Sequence, residues 1–181
     1  GYMQIYLYNQ NGTMIRKIGD GKHDITSIYG YNEENGDVYY QAAALNPHDR
    51  QVFVSHKNGK VERLTDQEGW NSAIFSGDYQ YFVNTWSDAN TPYVYTICNR
   101  QGKTLSTRLD NSKLKDKIQQ YGFTKKEMFS FTTSEGVKLD GWMVKPTNFD
   151  PSKKYPVIMF QYSGPGSQEV VNSWQIGSMG N

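Results

Sequence analysis

The segment around Tyr162 holds the residue types best suited to chemistry in this chain. Residues 156–162 form a nearly continuous apolar run that ends in this tyrosine, and such a run predicts a strand buried on both faces. Sheets built from strands of this kind bind ligands beyond the carboxyl ends of the strands, where a phenol O–H can donate a hydrogen bond. Gly164 and Gly166 follow and let the backbone turn sharply there. Composition alone favours a structural role for Tyr162, because the chain has 14 tyrosines, whereas the strand and the glycines favour a functional one.

A catalytic nucleophile is missing from this segment. A nucleophilic serine that follows a sheet strand commonly stands in a Gly-x-Ser-x-Gly elbow, and no such sequence occurs in the 181 residues. Ser163 and Ser167 each neighbour a glycine, but neither lies between two glycines as the elbow requires. His23, His48 and His56 all precede the segment, whereas the triad order is serine, acid, histidine. We therefore interpret the three histidines as turn or surface residues.

Metal, cofactor and nucleic-acid functions have no support in the composition. The net charge is +1, from 19 basic and 18 acidic residues, so no basic field predicts nucleic-acid binding. Acidic residues are scattered without metal-ligand spacing, and the polar runs 32–37 and 87–90 are interpreted as hairpin turns rather than calcium loops. Cys98 is the single cysteine, which excludes an internal disulfide. We predict no metal and no cofactor.

A repeat supplies the framework for these residues. Alternating strands flank turn glycines at Gly12, Gly59 and Gly102, which lie 47 and 43 residues apart. Two further strands precede each of the two later turns. Four short antiparallel strands in about 45 residues are typical of a β-propeller blade. The repeat predicts two complete blades, over roughly 22–66 and 67–110, and the last two strands of a preceding one. A β-sandwich with similar hairpins is the alternative.

The repeat ends after Leu109, and a second domain is predicted from residue 111. Residues 110–112 suit the start of a helix that Gly122 ends. Two strands follow at 128–133 and 139–144, then a polar loop at 146–154 and the apolar strand 156–162. The predicted domains are therefore residues 1–110 and residues 111–181, the second of them incomplete.

Three runs of this second part resemble a known family. Residues 139–146, 149–158 and 162–168, the last reading Tyr-Ser-Gly-Pro-Gly-Ser-Gln, are similar to the start of the hydrolase domain in the prolyl oligopeptidase family. The Tyr-x-Gly-Pro-x-Ser-Gln motif resembles that of the dipeptidyl peptidase IV branch, and the sequence is most similar to bacterial members of the Bacteroides group. The fold class implied is mainly β: a partial β-propeller of four-stranded antiparallel blades, followed by the first strands of an α/β-hydrolase domain.

The resemblance implies roles for three residues. Tyr162 would be an oxyanion-hole donor, its O–H facing the negative oxygen of a tetrahedral intermediate, and Ser163 and Gly164 would lie against the substrate. The Ser-Asp-His triad is absent from this chain, and so are the paired glutamates that bind the substrate amino terminus in this branch. We therefore expect this chain alone to be inactive.

The resemblance also implies an activity and partners for the whole protein. It would be a serine exopeptidase that releases X-Pro or X-Ala dipeptides, with peptides carrying Pro or Ala at the second position as substrates. A homodimer in the periplasm or outside the cell is expected, whereas the isolated chain, with open blade edges, is expected to self-associate. Two alternatives stay open: an acylaminoacyl peptidase or oligopeptidase of the same family, and a non-catalytic propeller-like binding module.

Overall fold

Four antiparallel sheets follow one another along the chain in this computed structural model, which describes residues 1–162, 164 and 166–175. The first is the two-stranded pair β1 (Ile5–Tyr8) and β2 (Met14–Ile18). Two four-stranded sheets and a second two-stranded pair come after it. Each sheet pairs strands that are neighbours in sequence, so every connection is a local one.

Both predicted blades are present as complete four-stranded sheets. The first blade has the order β3-β4-β5-β6, and its strands are β3 (Ile25–Asn32), β4 (Asp37–Ala42), β5 (Gln51–Ser55) and β6 (Val61–Arg63). The second blade has the order β7-β8-β9-β10, and its strands are β7 (Trp70–Phe75), β8 (Tyr81–Asp88), β9 (Thr91–Asn99) and β10 (Thr104–Leu109). The hairpins β5–β6 and β9–β10 therefore lie in separate sheets of four consecutive strands, as neighbouring blades require, and not in a single sandwich sheet.

The three repeat glycines adopt one conformation. Gly12, Gly59 and Gly102 have φ of 83°, 87° and 85°, in the left-handed region that only glycine adopts without strain. Each donates its backbone N–H to the carbonyl three residues earlier, at 3.0, 2.8 and 2.9 Å. The spacing of these residues in the sequence thus predicted three equivalent hairpin turns correctly.

The core lies between successive sheets. Strand β4 is buried along its whole length. Its successive side chains point to opposite faces of the sheet, and a neighbouring sheet covers each face. Tyr39 packs toward the second blade with Val52, Leu64 and Phe82. On the other face, side chains of the first blade pack against β1 and β2; this second cluster comprises Ile18, Ile25, Val38, Tyr40 and Ala42. Face-to-face stacking of consecutive sheets is the geometry of neighbouring propeller blades.

Polar contacts fix the register between the two blades. Asn71 of β7 donates from its backbone N–H to the Arg50 carbonyl at 2.9 Å, and its side chain donates to the same carbonyl at 3.0 Å. Gln41 of β4 donates to the Asn71 carbonyl at 2.7 Å, and Asn84 donates to the Asn71 side-chain oxygen at 3.1 Å. All four residues are buried, so these bonds replace water that the blade interface excludes.

Helix α1 (Ser112–Gln120) and a hairpin follow the second blade. The helix begins where the sequence predicts, but Asn111 does not cap it: its side chain donates to the Tyr93 carbonyl at 2.7 Å. Gly122, with φ of 69°, ends the helical run as expected. The hairpin pairs β11 (Lys126–Thr132) with β12 (Lys138–Val144). No helix among the described residues is both long and apolar enough to cross a membrane.

The prediction of a buried strand over 156–162 is wrong for this structure. No strand is assigned there, and the side chains of Val157, Ile158 and Met159 are 86%, 99% and 84% exposed. A strand buried on both faces requires hydrogen-bonded neighbours, and no described strand pairs with this segment. The apolar character that favoured burial therefore lies on the surface here.

Buried tyrosines predict a loss of stability at alkaline pH. Burial raises the pKa of Tyr29 to about 12 and also raises the pKa of Tyr40 above its ordinary value. An unfolded tyrosine ionises near pH ~10, so between about pH 10 and 12 unfolding releases protons that the folded chain retains, and the free energy of unfolding falls. Urea unfolding at pH 8 and pH 11 measures the fall. Tyr40→Phe, which preserves the stacking on Phe53, should reduce it; an equal fall in the variant would contradict this explanation.

Candidate functional site

Tyr162 and Gly164 lie against each other. The tyrosine side chain is 61% exposed. A Cβ placed on Gly164 would stand 2.8 Å from the Tyr162 hydroxyl oxygen and 2.9 Å from its Cζ, so a larger residue at this position would displace the phenol from where it lies. Ser163, the third predicted site residue, lies outside the described residues. The tyrosine O–H is thus held beside a glycine, on a surface open to a ligand.

A turn follows Tyr162 and leads the chain to the blades. Ser167 donates its backbone N–H to the Gly164 carbonyl at 3.1 Å, and Gly166 has φ of 76°. Residues 166–175, which we term the docking segment, then contact the two blades. The surface that receives them, termed the docking edge, comprises loop 45–50 between β4 and β5 together with residues 87–93 around the β8–β9 turn.

Gln168 makes the first contact of the docking segment. Its side-chain nitrogen donates to the Pro47 carbonyl at 2.8 Å, and its side-chain oxygen accepts from Arg50 Nη2 at 2.5 Å. The Arg50 guanidinium lies 4.5 Å from the centre of the Trp70 ring and also donates to the Asp49 carbonyl at 2.7 Å. Burial lowers the pKa of Arg50, while the nearby carboxylates of Asp24 and Asp49 oppose that shift. A buried cation is therefore held in one orientation.

Asp49 is the shared acceptor at the centre of the docking edge. Its side chain is 0% exposed. One carboxylate oxygen accepts from the Gly69 backbone N–H at 3.0 Å and from Asn172 Nδ2 at 2.8 Å, and the other accepts from Asn46 Nδ2 at 2.9 Å. Three donors compensate for the loss of water around this carboxylate, since a buried charge without such partners is strongly destabilising.

Asn172 bridges the two blades. Besides donating to Asp49, its side chain accepts from the Ala89 backbone N–H at 2.9 Å, and its own backbone N–H donates to the His48 carbonyl at 2.9 Å. Asp49 and His48 belong to the first blade's β4–β5 loop, whereas Ala89 belongs to the β8–β9 turn of the second. One side chain from the docking segment thus contacts both blades at once.

Trp174 adds two more hydrogen bonds farther along the docking segment. Its backbone N–H donates to the Ser87 hydroxyl at 3.0 Å, and its carbonyl accepts from the Tyr93 hydroxyl at 2.8 Å. Ser87 is fully buried. These bonds extend the contact along the second blade, beyond the point where Asn172 bridges the pair.

The β11–β12 hairpin meets the same edge separately. The Asn90 side chain accepts from the Lys126 backbone N–H at 2.8 Å and donates to the Lys126 carbonyl at 3.0 Å. Burial lowers the pKa of the Lys126 ammonium, which lies 4.8 Å from the centre of the Trp142 ring. The His48 ring lies 3.8 Å from the Asp140 carboxylate. Together with the Asn111 side chain, which donates to the Tyr93 carbonyl, the hairpin and the docking segment attach the chain after residue 110 to the docking edge at three places.

The other residues considered in the sequence analysis lie away from Tyr162. His23 and His56 lie in loops beside acidic side chains, His23 near Asp20 and His56 near Asp37. The 32–37 and 87–90 runs form hairpin turns, as predicted. Among the described residues, no group of three or more potential ligands could hold a metal ion.

Sequence reasoning missed the docking edge. Asp49 and Arg50 stand in a polar loop that looks like any other surface connection. In the fold they contact Gln168 and Asn172, more than a hundred residues later in the chain. Only the Gln168 position carried a signal, because it is the last residue of the Tyr-x-Gly-Pro-x-Ser-Gln run.

Comparisons with known proteins agree with this architecture. The model of the family described as "Dipeptidyl peptidase IV (DPP IV) N-terminal region" matches residues 1–93. The probable dipeptidyl peptidase 4 of Emericella nidulans is 30% identical over 178 residues, which are 97% of this chain and 23% of that protein. The dipeptidyl peptidase 4 of Arthroderma otae is 28% identical over 180 residues, with the same coverage of both chains. This chain spans about a quarter of the length of these relatives.

Solved structures match over nearly the whole chain. The crystal structure of Porphyromonas gingivalis dipeptidyl peptidase 4 superposes with a TM-score of 0.91 at 40% identity, covering 97% of this chain and 25% of that one. A putative dipeptidyl aminopeptidase IV from Bacteroides ovatus gives a TM-score of 0.75 at 24% identity, over 99% of this chain and 26% of that one, a likeness of fold. The partial β-propeller prediction is confirmed. With more than half of its 181 residues matched by the family model, the chain belongs to the dipeptidyl peptidase IV N-terminal region family.

Proposed function

We propose that this chain is the part of a serine-type dipeptidyl peptidase in which the propeller joins the peptidase domain. Residues 1–110 are the last blades, and residues 111–181 are the connecting helix and the first part of an α/β-hydrolase domain. The observation that carries the proposal is the match to Porphyromonas gingivalis dipeptidyl peptidase 4, which covers 97% of this chain. The intact protein would release X-Pro and X-Ala dipeptides from peptide amino termini.

Tyr162 supplies one of the two oxyanion donors in this proposal. A serine outside residues 1–181 attacks the scissile carbonyl, and a histidine, also outside them, takes up the serine proton and passes it to the leaving group. The carbonyl oxygen becomes negative in the tetrahedral intermediate, and the Tyr162 O–H donates to it together with the backbone N–H after the serine. Ser163 and Gly164 border the substrate, and the open surface beside the Tyr162 phenol supports that placement.

The location and assembly of the intact protein follow from the family resemblance. We place it in the periplasm or outside the cell, as a homodimer, and we expect the isolated chain to self-associate. An exposed apolar side chain supports the last expectation: Ile74 on the second blade is 74% exposed, and a further blade would cover it. Cell fractionation and sedimentation of the chain measure these properties, and a cytoplasmic location or a monomeric chain at high concentration would contradict them.

Product analysis tests the activity. The intact protein, incubated with a peptide that begins Gly-Pro, should release the dipeptide Gly-Pro, and it should leave the same peptide intact when its amino group is acetylated. Residues 1–181 alone should release nothing, because the attacking serine is not among them. Mass spectrometry identifies the products. Release of an acetylated residue would support an acylaminoacyl peptidase, internal cleavage an oligopeptidase, and no cleavage by the intact protein a binding module.

A further inference from the structure

The chain is bound to the blades a few residues after Tyr162. Before the tyrosine, residues 157–159 are almost fully exposed. After it, the Gly164–Ser167 turn leads to Gln168, six residues beyond the tyrosine. The Gln168 side chain accepts a hydrogen bond from the buried Arg50 guanidinium. Among the described residues, the docking segment therefore provides the fixed point from which the position of the Tyr162 loop is set.

Asn172 is the contact of that fixed point whose side chain bonds to both blades. Both polar atoms of its side chain are used, one on the fully buried carboxylate of Asp49 and one on the Ala89 backbone. A hydrogen bond to a buried charge is stronger and more directional than one between neutral groups. Because the two partners come from different blades, Asn172 responds to the relative position of the blades as well as to each of them.

We infer that the docking segment positions the oxyanion donor, with Asn172 as the positioning residue that transmits the placement of the two blades to Tyr162. The inference rests on the proposed oxyanion role of Tyr162. It gives the last blades an indirect part in catalysis. Asn172 touches no reacting atom; it acts through the loop that carries the tyrosine.

The physical basis is the sensitivity of an oxyanion donor to its position. A preorganised donor stabilises the transition state only when it lies within hydrogen-bond distance of the developing charge. A displacement of about 1 Å in such a group can lower the rate by up to about 10²-fold. Substrate binding away from the oxyanion changes little, so a positioning defect lowers kcat more than it raises KM.

A double-mutant cycle in the intact peptidase tests the inference. Asn172→Ala should lower kcat by about tenfold or more, with KM changed less than about threefold. In a Tyr162→Phe background, where no phenol O–H is left to misplace, Asn172→Ala should change kcat by less than about twofold. Titration with a covalent serine reagent counts the folded active sites, so that kcat is expressed per competent site.

Asn90→Ala is the matched control. Asn90 also makes two side-chain hydrogen bonds at the docking edge, but both go to Lys126 of the β11–β12 hairpin rather than to the docking segment. Its replacement removes as many bonds and should leave kcat within about twofold. If Asn172→Ala does not fold, the milder Asn172→Ser and the Gln168→Ala variant, which releases Arg50, enter the same cycle.

The outcomes separate this inference from the proposed function. Suppose that Tyr162→Phe lowers kcat as expected. If Asn172→Ala then lowers kcat equally in both backgrounds, or has no effect on kcat in either, the positioning role is overturned and the oxyanion assignment stands. An equal loss in Asn90→Ala would also overturn it, because any damage to the edge would then suffice. Unchanged turnover in Tyr162→Phe would overturn both.

Discussion

Replacement of Tyr162 by phenylalanine in the intact peptidase should lower kcat by about 10²–10³-fold, the usual scale for the loss of one oxyanion donor. The ring is preserved, so its packing over Gly164 is retained and the loop should keep its shape. Only the O–H is lost, and with it the hydrogen bond that we propose it makes to the developing negative charge. Because ground-state contacts persist, KM should change little. Steady-state kinetics on a Gly-Pro chromogenic amide measure both constants.

Tyr155→Phe is the matched control for that experiment. The Tyr155 hydroxyl accepts from the Asp150 backbone N–H at 2.9 Å, within the polar loop that precedes the apolar run. Its loss costs a local hydrogen bond and should leave kcat unchanged. Equal effects of the two variants, or unchanged turnover in Tyr162→Phe, would return Tyr162 to the structural tyrosines.

Replacement of Gly102 by alanine should produce the largest loss of stability among the repeat glycines. Its φ of 85° is strained for alanine, at a cost of about 1–2 kcal/mol. An added Cβ would also overlap the backbone carbonyl of Leu64 in the neighbouring blade. The turn and the blade must separate to relieve the overlap, which adds about 1–3 kcal/mol. Urea unfolding followed by the fluorescence of the blade tryptophans measures the change.

Gly59→Ala separates the two costs. Gly59 has φ of 87° in the equivalent turn of the first blade, and an added Cβ there would meet no atom within 4 Å. This variant therefore carries the conformational strain without the overlap, and it should lose only about 1–2 kcal/mol. Equal losses at Gly59 and Gly102 would mean that the turn of the second blade does not press on Leu64.

Local signals in the sequence predicted the blades well. The Asn-Gly and Gln-Gly turns demand a positive φ, and the alternating strands around them have a single way to pair, so Gly59 and Gly102 marked the hairpins of both sheets. These features depend on residues a few positions apart, which is why the sequence alone was sufficient for them.

Features that depend on distant contacts were not predictable in the same way. The run 156–162 was predicted as a buried strand because its residues are apolar, but burial requires neighbouring strands, and none of the described strands pairs with it. Asp49 shows the opposite case, on which the sequence analysis made no prediction. A carboxylate in a loop next to Pro47 and His48 suggests exposure, yet Gly69, Asn46 and Asn172 surround it with donors. Neither environment is encoded in the neighbouring residues.

A crystal structure of the intact protein with a peptidyl-prolyl boronate bound to the catalytic serine tests the central claim most directly. The boronate mimics the tetrahedral intermediate, and one of its oxygens occupies the oxyanion position. The Tyr162 hydroxyl should lie about 2.7–3.1 Å from that oxygen, with the docking segment still bound to Asp49 and Arg50. A tyrosine hydroxyl more than about 5 Å from the boronate oxygen, outside any hydrogen-bond distance, would contradict the account.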